Sequence, residues 1–173
     1  SLRRQRQMCI RDRTHTVTEL KTRSVVLAMG ASLLPLTVPG AERLWGRGIS
    51  QCAFCDAGLF RGEKVAVVGG GDSALQEALH LTAFASEISL IHRGNRLSAR
   101  QHYTARAAEA ENIRFHWSSK VIEILGNDSV EGLRIASRDG EEIDIACRAV
   151  FPFVGLQPRM TLLPASLVRQ GDA

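Results

Sequence analysis

Two short stretches of the chain hold residue types suited to redox and nucleotide chemistry: Cys52-Ala53-Phe54-Cys55-Asp56 and Gly69-Gly70-Gly71-Asp72-Ser73-Ala74. Thiols at i and i+3 can close a small disulfide that exchanges readily, whereas buried structural disulfides usually join distant segments. Asp56, next to the pair, can supply or remove a proton as a thiolate forms or leaves. Two other readings of Cys52 and Cys55 stay open: a pair of structural thiols, or half of a zinc site. Tetrahedral zinc needs two more ligands, and the remaining candidates, His80, His92, His102, His116 and Cys147, lack paired spacing. A redox disulfide is the favoured reading, and no metal ligands are assigned.

The second stretch is a G-x-G-x-x-A turn. Gly69 permits the tight turn, Gly71 lets backbone approach a pyrophosphate, and Ala74 allows close helix-to-sheet packing while the helix N-terminus faces the anion. An ordinary glycine-rich strand-to-helix connection is the plain alternative. An NAD-type site places an acidic residue roughly 20 positions further on to bind the ribose hydroxyls. That place here holds His92-Arg93, with Arg96 and Arg100 close behind and no carboxylate. Basic groups there suit a 2′-phosphate, which favours NADPH over NADH, against the reading of solvated arginines after a strand.

The elements that must hold these residues are legible from periodicity. Val65, Ala66, Val67 and Val68 form an unbroken apolar run, which suits a strand covered on both faces in a parallel sheet. Ala74, Leu75, Ala78, Leu79, Thr82 and Ala85 recur at three- and four-residue spacing, predicting a helix over 72–85 with Asp72 and Ser73 in its first turn. A second strand follows at Ile88 to Ile91, a second helix over 98–111, and a third strand through Ile113, Phe115 and Trp117. That β-α-β-α-β order predicts a doubly wound parallel unit. Val121 to Leu125, Leu133 to Ala136 and the alternation Ile143, Ile145, Cys147 then read as a β-meander with turns at Asn127-Asp128 and Asp139-Gly140. Cys147, on the apolar face, reads as a buried structural thiol rather than a redox group. The last strand, Ala149 to Val154, contains Pro152 and is expected at an edge, bulged or irregular. Upstream, Thr16 to Leu20 and Ser24 to Ala28 read as strands, followed by a loop with Pro35, Pro39, Gly40, Gly46 and Gly48 in which a domain boundary is placed.

Composition narrows the classes. The 173 residues are 45% hydrophobic and 23% charged, which excludes collagen-like and disordered chains. Apolar stretches are broken by charge or glycine within about seven positions, far short of the roughly 20 residues of a membrane helix, so no membrane partner is expected. The net charge of +4 is carried by residues 1–13, with five arginines and one aspartate, and the rest holds 17 basic and 17 acidic side chains. A neutral body gives no footprint for nucleic acid. Residues 1–13 lack apolar periodicity and any cleavage pattern, and read as a basic leader that does not look native to the domain. Four cysteines at uneven spacing do not make a disulfide scaffold, which favours a reducing, cytoplasmic compartment.

The combination C-A-F-C-D followed by F-R-G-E-K-V-A-V-V-G-G-G-D-S-A-L-Q-E-A resembles the NADPH domain of bacterial thioredoxin reductases and their paralogues. The flanks S-V-V-L-A-M-G-A-S-L-L-P-L-T-V-P-G and V-F-P-F-V-G-L-Q-P are similar to the family's strand and turn leading to a Pro-Gly and to its V-F-V-F-I-G-x-x-P, so the likeness covers about residues 14–165. The resemblance implies an α/β fold: a Rossmann-like three-layer NAD(P)-binding domain with a parallel sheet and a β-meander, plus remnants of a flavin domain. It implies a flavoprotein in which NADPH reduces FAD and the flavin reduces the C-x-x-C disulfide, which passes to a small thioredoxin-like protein acceptor, the parent being a homodimer. By the same resemblance Cys55 sits nearer the flavin, Cys52 is the interchange thiol and Asp56 the proton donor. Gly69, Gly71, Asp72, Ser73, Ala74 and Glu77 line the pyrophosphate and nicotinamide side, His92, Arg93 and Arg96 lie toward the 2′-phosphate, and Gly155 closes over the cofactor.

The sequence departs from the family at His92-Arg93-Gly94 and Leu97-Ser98-Ala99, where two further arginines are common, and at Phe54 and Ala57 on the partner face. The family's FAD-binding G-x-G-x-x-G and C-terminal G-D segment do not occur, so the expectation is an internal fragment: leader 1–13, flavin-domain remnant 14–40, NAD(P)H-binding domain with the C-x-x-C 41–155, and a return toward the flavin domain at 156–173. Two alternatives remain, a nucleotide-binding module without turnover and a paralogous oxidoreductase with a different acceptor.

Overall fold

A computed structural model describes residues 23, 24 and 26–160. In chain order its elements are β1 (Ala31–Leu33), α1 (Ala53–Asp56) running into a 3-10 turn (Ala57–Phe60), β2 (Lys64–Val68), α2 (Asp72–Leu81), β3 (Glu87–Ile91), α3 (Gln101–Glu109), β4 (Ile113–His116), β5 (Ser119–Leu125), β6 (Gly132–Ser137), β7 (Glu142–Ala146), β8 (Ala149–Pro152) and β9 (Leu156–Pro158). The unbroken apolar run of β2 is explained by its place. It lies inside a four-stranded parallel sheet of order β4-β3-β2-β8, with Val65 opposite Ile88 of β3 and Ala149 of β8.

Successive side chains of a strand point to opposite faces, and β2 divides accordingly. Val65 and Val67 join Leu75 and Leu81 of α2, Ile88, Leu90 and Phe151 in one buried cluster. Ala66 and Val68 join Leu44, Ile124, Leu133, Ile135 and Val150 in a second cluster on the other face. The architecture is therefore three layers, helices over a parallel sheet over the meander β5-β6-β7. Each fully buried Leu or Phe here contributes about 1.5–3 kcal/mol relative to exposure. Across the meander, Arg134 bonds Asp144 through Nε at 2.7 Å and Glu123 through Nη1 at 3.2 Å, residues that stand opposite it in the ladders. Opposite charges on facing strands favour this register over a slipped one.

Both main helices are shorter than their periodicity suggests, each for a local reason. Helix α2 ends at Leu81 rather than 85 because Asn112 Nδ2 donates to the carbonyls of Thr82 and Ala85, at 3.1 and 3.0 Å, and satisfies the chain end that further helix would have used. Helix α3 begins at Gln101 rather than 98 because Ser98 N and Ala99 N donate to Gly70 O, at 2.9 and 3.1 Å. Pro152 ends β8, the sheet's edge strand. The Val150 amide two residues earlier points away from β2, to Gly48 O, so the missing Pro152 donor falls on the side β2 does not use.

The strand expected over 24–28 is not formed by its described residues. Val26 and Leu27 are exposed and irregular, and among the described residues nothing covers them. The chain instead pairs a little later, β1 running antiparallel to β9 with Ser32 opposite Gln157. The expected strand at Thr16 to Leu20 lies outside the described residues, as does the leader. Along β7 burial rises toward the core, from exposed Ile143 through Ile145 to buried Cys147 just past the strand end. Among the described residues no helix is long and apolar enough to cross a membrane.

Candidate active site

The turn after β2 is built from three glycines with three different reasons. Gly69 has φ +146°, and a Cβ on it would lie 2.5 Å from the Phe153 carbonyl oxygen and 3.0 Å from Ala74 Cβ. Gly70 is buried against the His92 ring, which any Cβ there would overlap. Gly71 is different: it is the extended N-cap of α2, and a Cβ would meet nothing nearer than Ser98 Oγ at 3.8 Å. The protein itself leaves the space above Gly71 open. That is the arrangement a phosphate approaching a helix N-terminus requires.

This open space belongs to a cavity of about 610 Å³, within the usual range for a ligand site. Gly69, Gly71, His92, Arg93 and Gly155 line it, together with Ser98 and Lys120. Asp72, in the first turn of α2, would repel an anion there. It is instead ion-paired, with Oδ2 accepting from Arg100 Nε at 2.5 Å and Oδ1 from Arg100 N at 2.7 Å. The Arg100 backbone bond, then its guanidinium, holds the Asp72 carboxyl below the usual carboxylate range. Arg93 and Lys120 thus leave the cavity lining positive. The remaining expected residues divide. Ser73 is exposed on the first turn and Ala74 packs on Gly69. Arg96 is absent from the lining, but its carbonyl bonds His92 Nε2 at 2.8 Å, so Nε2 carries the proton. A second cavity, about 740 Å³ along Leu33 to Gln51, has Glu42 as its sole charged residue and does not suit an anion.

Cys52 and Cys55 form a disulfide with Cα atoms 5.3 Å apart. Cys52 also caps α1, its sulfur accepting from Cys55 N at 3.2 Å, while Cys52 N donates to Ser50 Oγ at 3.1 Å. Phe54 stacks on His80 of α2 with ring centroids 3.9 Å apart. Asp56, half-buried, closes the same turn and its amide donates to Cys52 O at 3.2 Å. Glu77 stands here rather than on the cavity: its Oε2 accepts from Ala53 N at 2.6 Å. No residue of the Cys52–Cys55 turn lines the cavity, and helix α2 connects the two places. Cys147 is free and buried, and burial pushes its thiol up to about 12. Among the described residues no three His, Cys, Asp or Glu side chains cluster as metal ligands.

The model of the pyridine nucleotide-disulphide oxidoreductase family matches residues 2–172. The chain belongs to that family. Within the pyridine nucleotide-disulphide oxidoreductases, it is 42% identical over 144 residues to the bifunctional thioredoxin reductase/thioredoxin of Mycobacterium leprae, covering 83% of this chain and 31% of that one. It is 39% identical over 142 residues to the thioredoxin reductase of Bacillus subtilis, covering 81% of this chain and 45% of the relative. The structure superposes on the Lactococcus lactis thioredoxin reductase in its FR conformation with a TM-score of 0.75 and 37% identity, covering 78% of this chain and 46% of that one. The chain thus spans less than half the length of these relatives, and its α/β fold with parallel and antiparallel strands is theirs.

Gly70, Ser98 and Lys120 were not given roles by sequence reasoning. The signal available for Gly70 was that the x of the G-x-G turn is itself a glycine, one more than the turn needs. Ser98 and Lys120 lie in a loop and at a strand start, and only folding brings them to the cavity.

Proposed function

We propose that this chain is the nucleotide- and disulfide-bearing part of a thioredoxin-reductase-like flavoprotein disulfide reductase. The observation that carries the reading is one helix serving two sites. The N-terminus of α2 forms the open glycine cradle, and its middle holds the amide next to Cys52. The residues present fit NADPH. The space a Gly71 Cβ would fill receives the pyrophosphate, Arg93 and Lys120 face a 2′-phosphate, and Gly155 bounds the far side of the cavity. The bound dinucleotide supplies a hydride.

The Gly69–Gly71 turn is taken by the nicotinamide dinucleotide in this reading, and the described residues offer no second glycine cradle of that kind for FAD. In the whole protein, FAD would supply two-electron relay chemistry between the nucleotide and the disulfide. Cys52 then acts as the thiol that attacks the acceptor, Cys55 as its partner, and Asp56 holds or releases the proton. The acceptor in this reading is a small thioredoxin-like protein, the parent is a cytoplasmic homodimer, and the NAD(P)H-binding domain runs over 41–155 between a flavin-domain remnant at 14–40 and a return toward it at 156–173.

Calorimetric titration with NADP⁺ and NAD⁺ tests the nucleotide half. Saturable binding that favours NADP⁺ is expected, and no binding of either by folded protein would remove the cradle assignment.

A further inference from the structure

Helix α2 carries Glu77 to the place where the disulfide turn begins. Glu77 Oε2 accepts from the Ala53 amide at 2.6 Å. Ala53 is the first residue of α1, and Cys52, immediately before it, caps that helix through its sulfur. A carboxylate is therefore fixed to a backbone donor one residue from a redox sulfur. That donor lies on the same turn whose Cys55 amide would stabilise a negative Cys52 sulfur. Among the described residues, the other titratable groups facing this turn are Asp56 on α1 itself, His80 on α2, whose ring stacks on Phe54, and Tyr103 and Arg106 of α3, which line a cavity with Phe54 and His80. The 3-10 turn that follows has none, and Asp72 at the far end of α2 is paired with Arg100.

We propose that Glu77 is a positioning residue for the cysteine pair: its carboxylate anchors the Cys52–Cys55 turn to the nucleotide-binding helix, and its charge opposes the Cys52 thiolate. A like charge beside an ionising group disfavours its charged form, so Glu77 holds back the attacking thiolate while fixing where that thiolate stands. This rests on the redox reading of the pair given above.

In the test, dithiothreitol reduces the full chain. The Sγ–Sγ bond breaks, the reagent leaves as its cyclic disulfide, and two protein thiols remain. The reduced protein is alkylated with iodoacetamide across about pH 5–10, and modification at Cys52 is read by peptide mass. Glu77→Gln keeps an oxygen for the Ala53 amide but removes the charge. It should lower the Cys52 midpoint by about half a pH unit or more, roughly a threefold gain in thiolate below the midpoint. Glu77→Asp keeps the charge on an arm one methylene shorter and should retain the wild-type midpoint. A Glu77→Gln midpoint equal to wild type overturns the proposal. Should that variant not fold, a wild-type Cys52 midpoint that does not fall when salt is raised from about 0.05 to about 1 M does the same, because a like charge opposing the thiolate is screened by salt. If Cys52 and Cys55 never form a dithiothreitol-reducible disulfide, the proposed function fails instead, so the two failures are distinguishable.

Discussion

Gly71 and Gly70 are neighbours with opposite consequences. Because a Cβ at Gly71 enters open space, Gly71→Val should leave the protein folded while weakening NADP⁺ at least tenfold, about 1.4 kcal/mol, by calorimetry. Gly70→Ala forces a methyl into the His92 ring and should lower stability directly, by about 1–3 kcal/mol in urea denaturation. The arginines divide in the same way. Arg93 lines the cavity, so Arg93→Ala should cost NADP⁺ affinity about 1.5–3 kcal/mol and leave NAD⁺ nearly unaffected, and equal losses would make Arg93 structural. Arg100 is held by Asp72. Folding lowers the Asp72 pKa below its ordinary 3.8, so the pairing supports the turn above that value and is lost as pH falls through the lower folded-state value. Carboxyl NMR should show the Asp72 midpoint moving only part of the way back toward 3.8 in Arg100→Ala, because the backbone amide at position 100 still donates. From sequence, Arg93 and Arg100 looked alike; which one is spent on a carboxylate 28 residues away depends on the fold.

Periodicity located β2, α2, β3 and β4 because their apolar residues face a continuous core, and a composition rich in Ala, Arg, Glu and Gln located α3, but neither located the helix ends. Thr82 and Ala85 continue the apolar spacing of α2, yet the helix stops where Asn112 takes their carbonyls, a contact 27 to 30 residues distant that no local pattern carries. Asn112→Ala should destabilise the protein by about 1–3 kcal/mol, measured as a lower urea midpoint, through carbonyls left without their donor. Unaltered stability would show that water or a longer α2 replaces it. The apolar run near Val26 misled for the complementary reason: apolar residues extend into a strand when a partner covers them, and none among the described residues does. Pro152 was legible as an edge residue because its missing donor is a property of the residue itself.

At the scale of the molecule, the three layers place the glycine cradle at one end of α2 and the disulfide turn against its middle, with Cys147 shut between the meander and the sheet. The relatives it resembles are thioredoxin reductases, and the chain spans less than half of their length. In the proposed function Cys52 and Cys55 form an exchanging redox couple and Cys147 is structural. The most direct measurement equilibrates the folded chain with dithiothreitol at graded ratios, quenches by alkylation, and maps the modified cysteines by mass. Cys52 and Cys55 should become reactive together, with a midpoint between about −180 and −300 mV, while Cys147 stays unmodified. A pair that resists reduction well below that range, cysteines that react independently of one another, or zinc released on alkylation would contradict it.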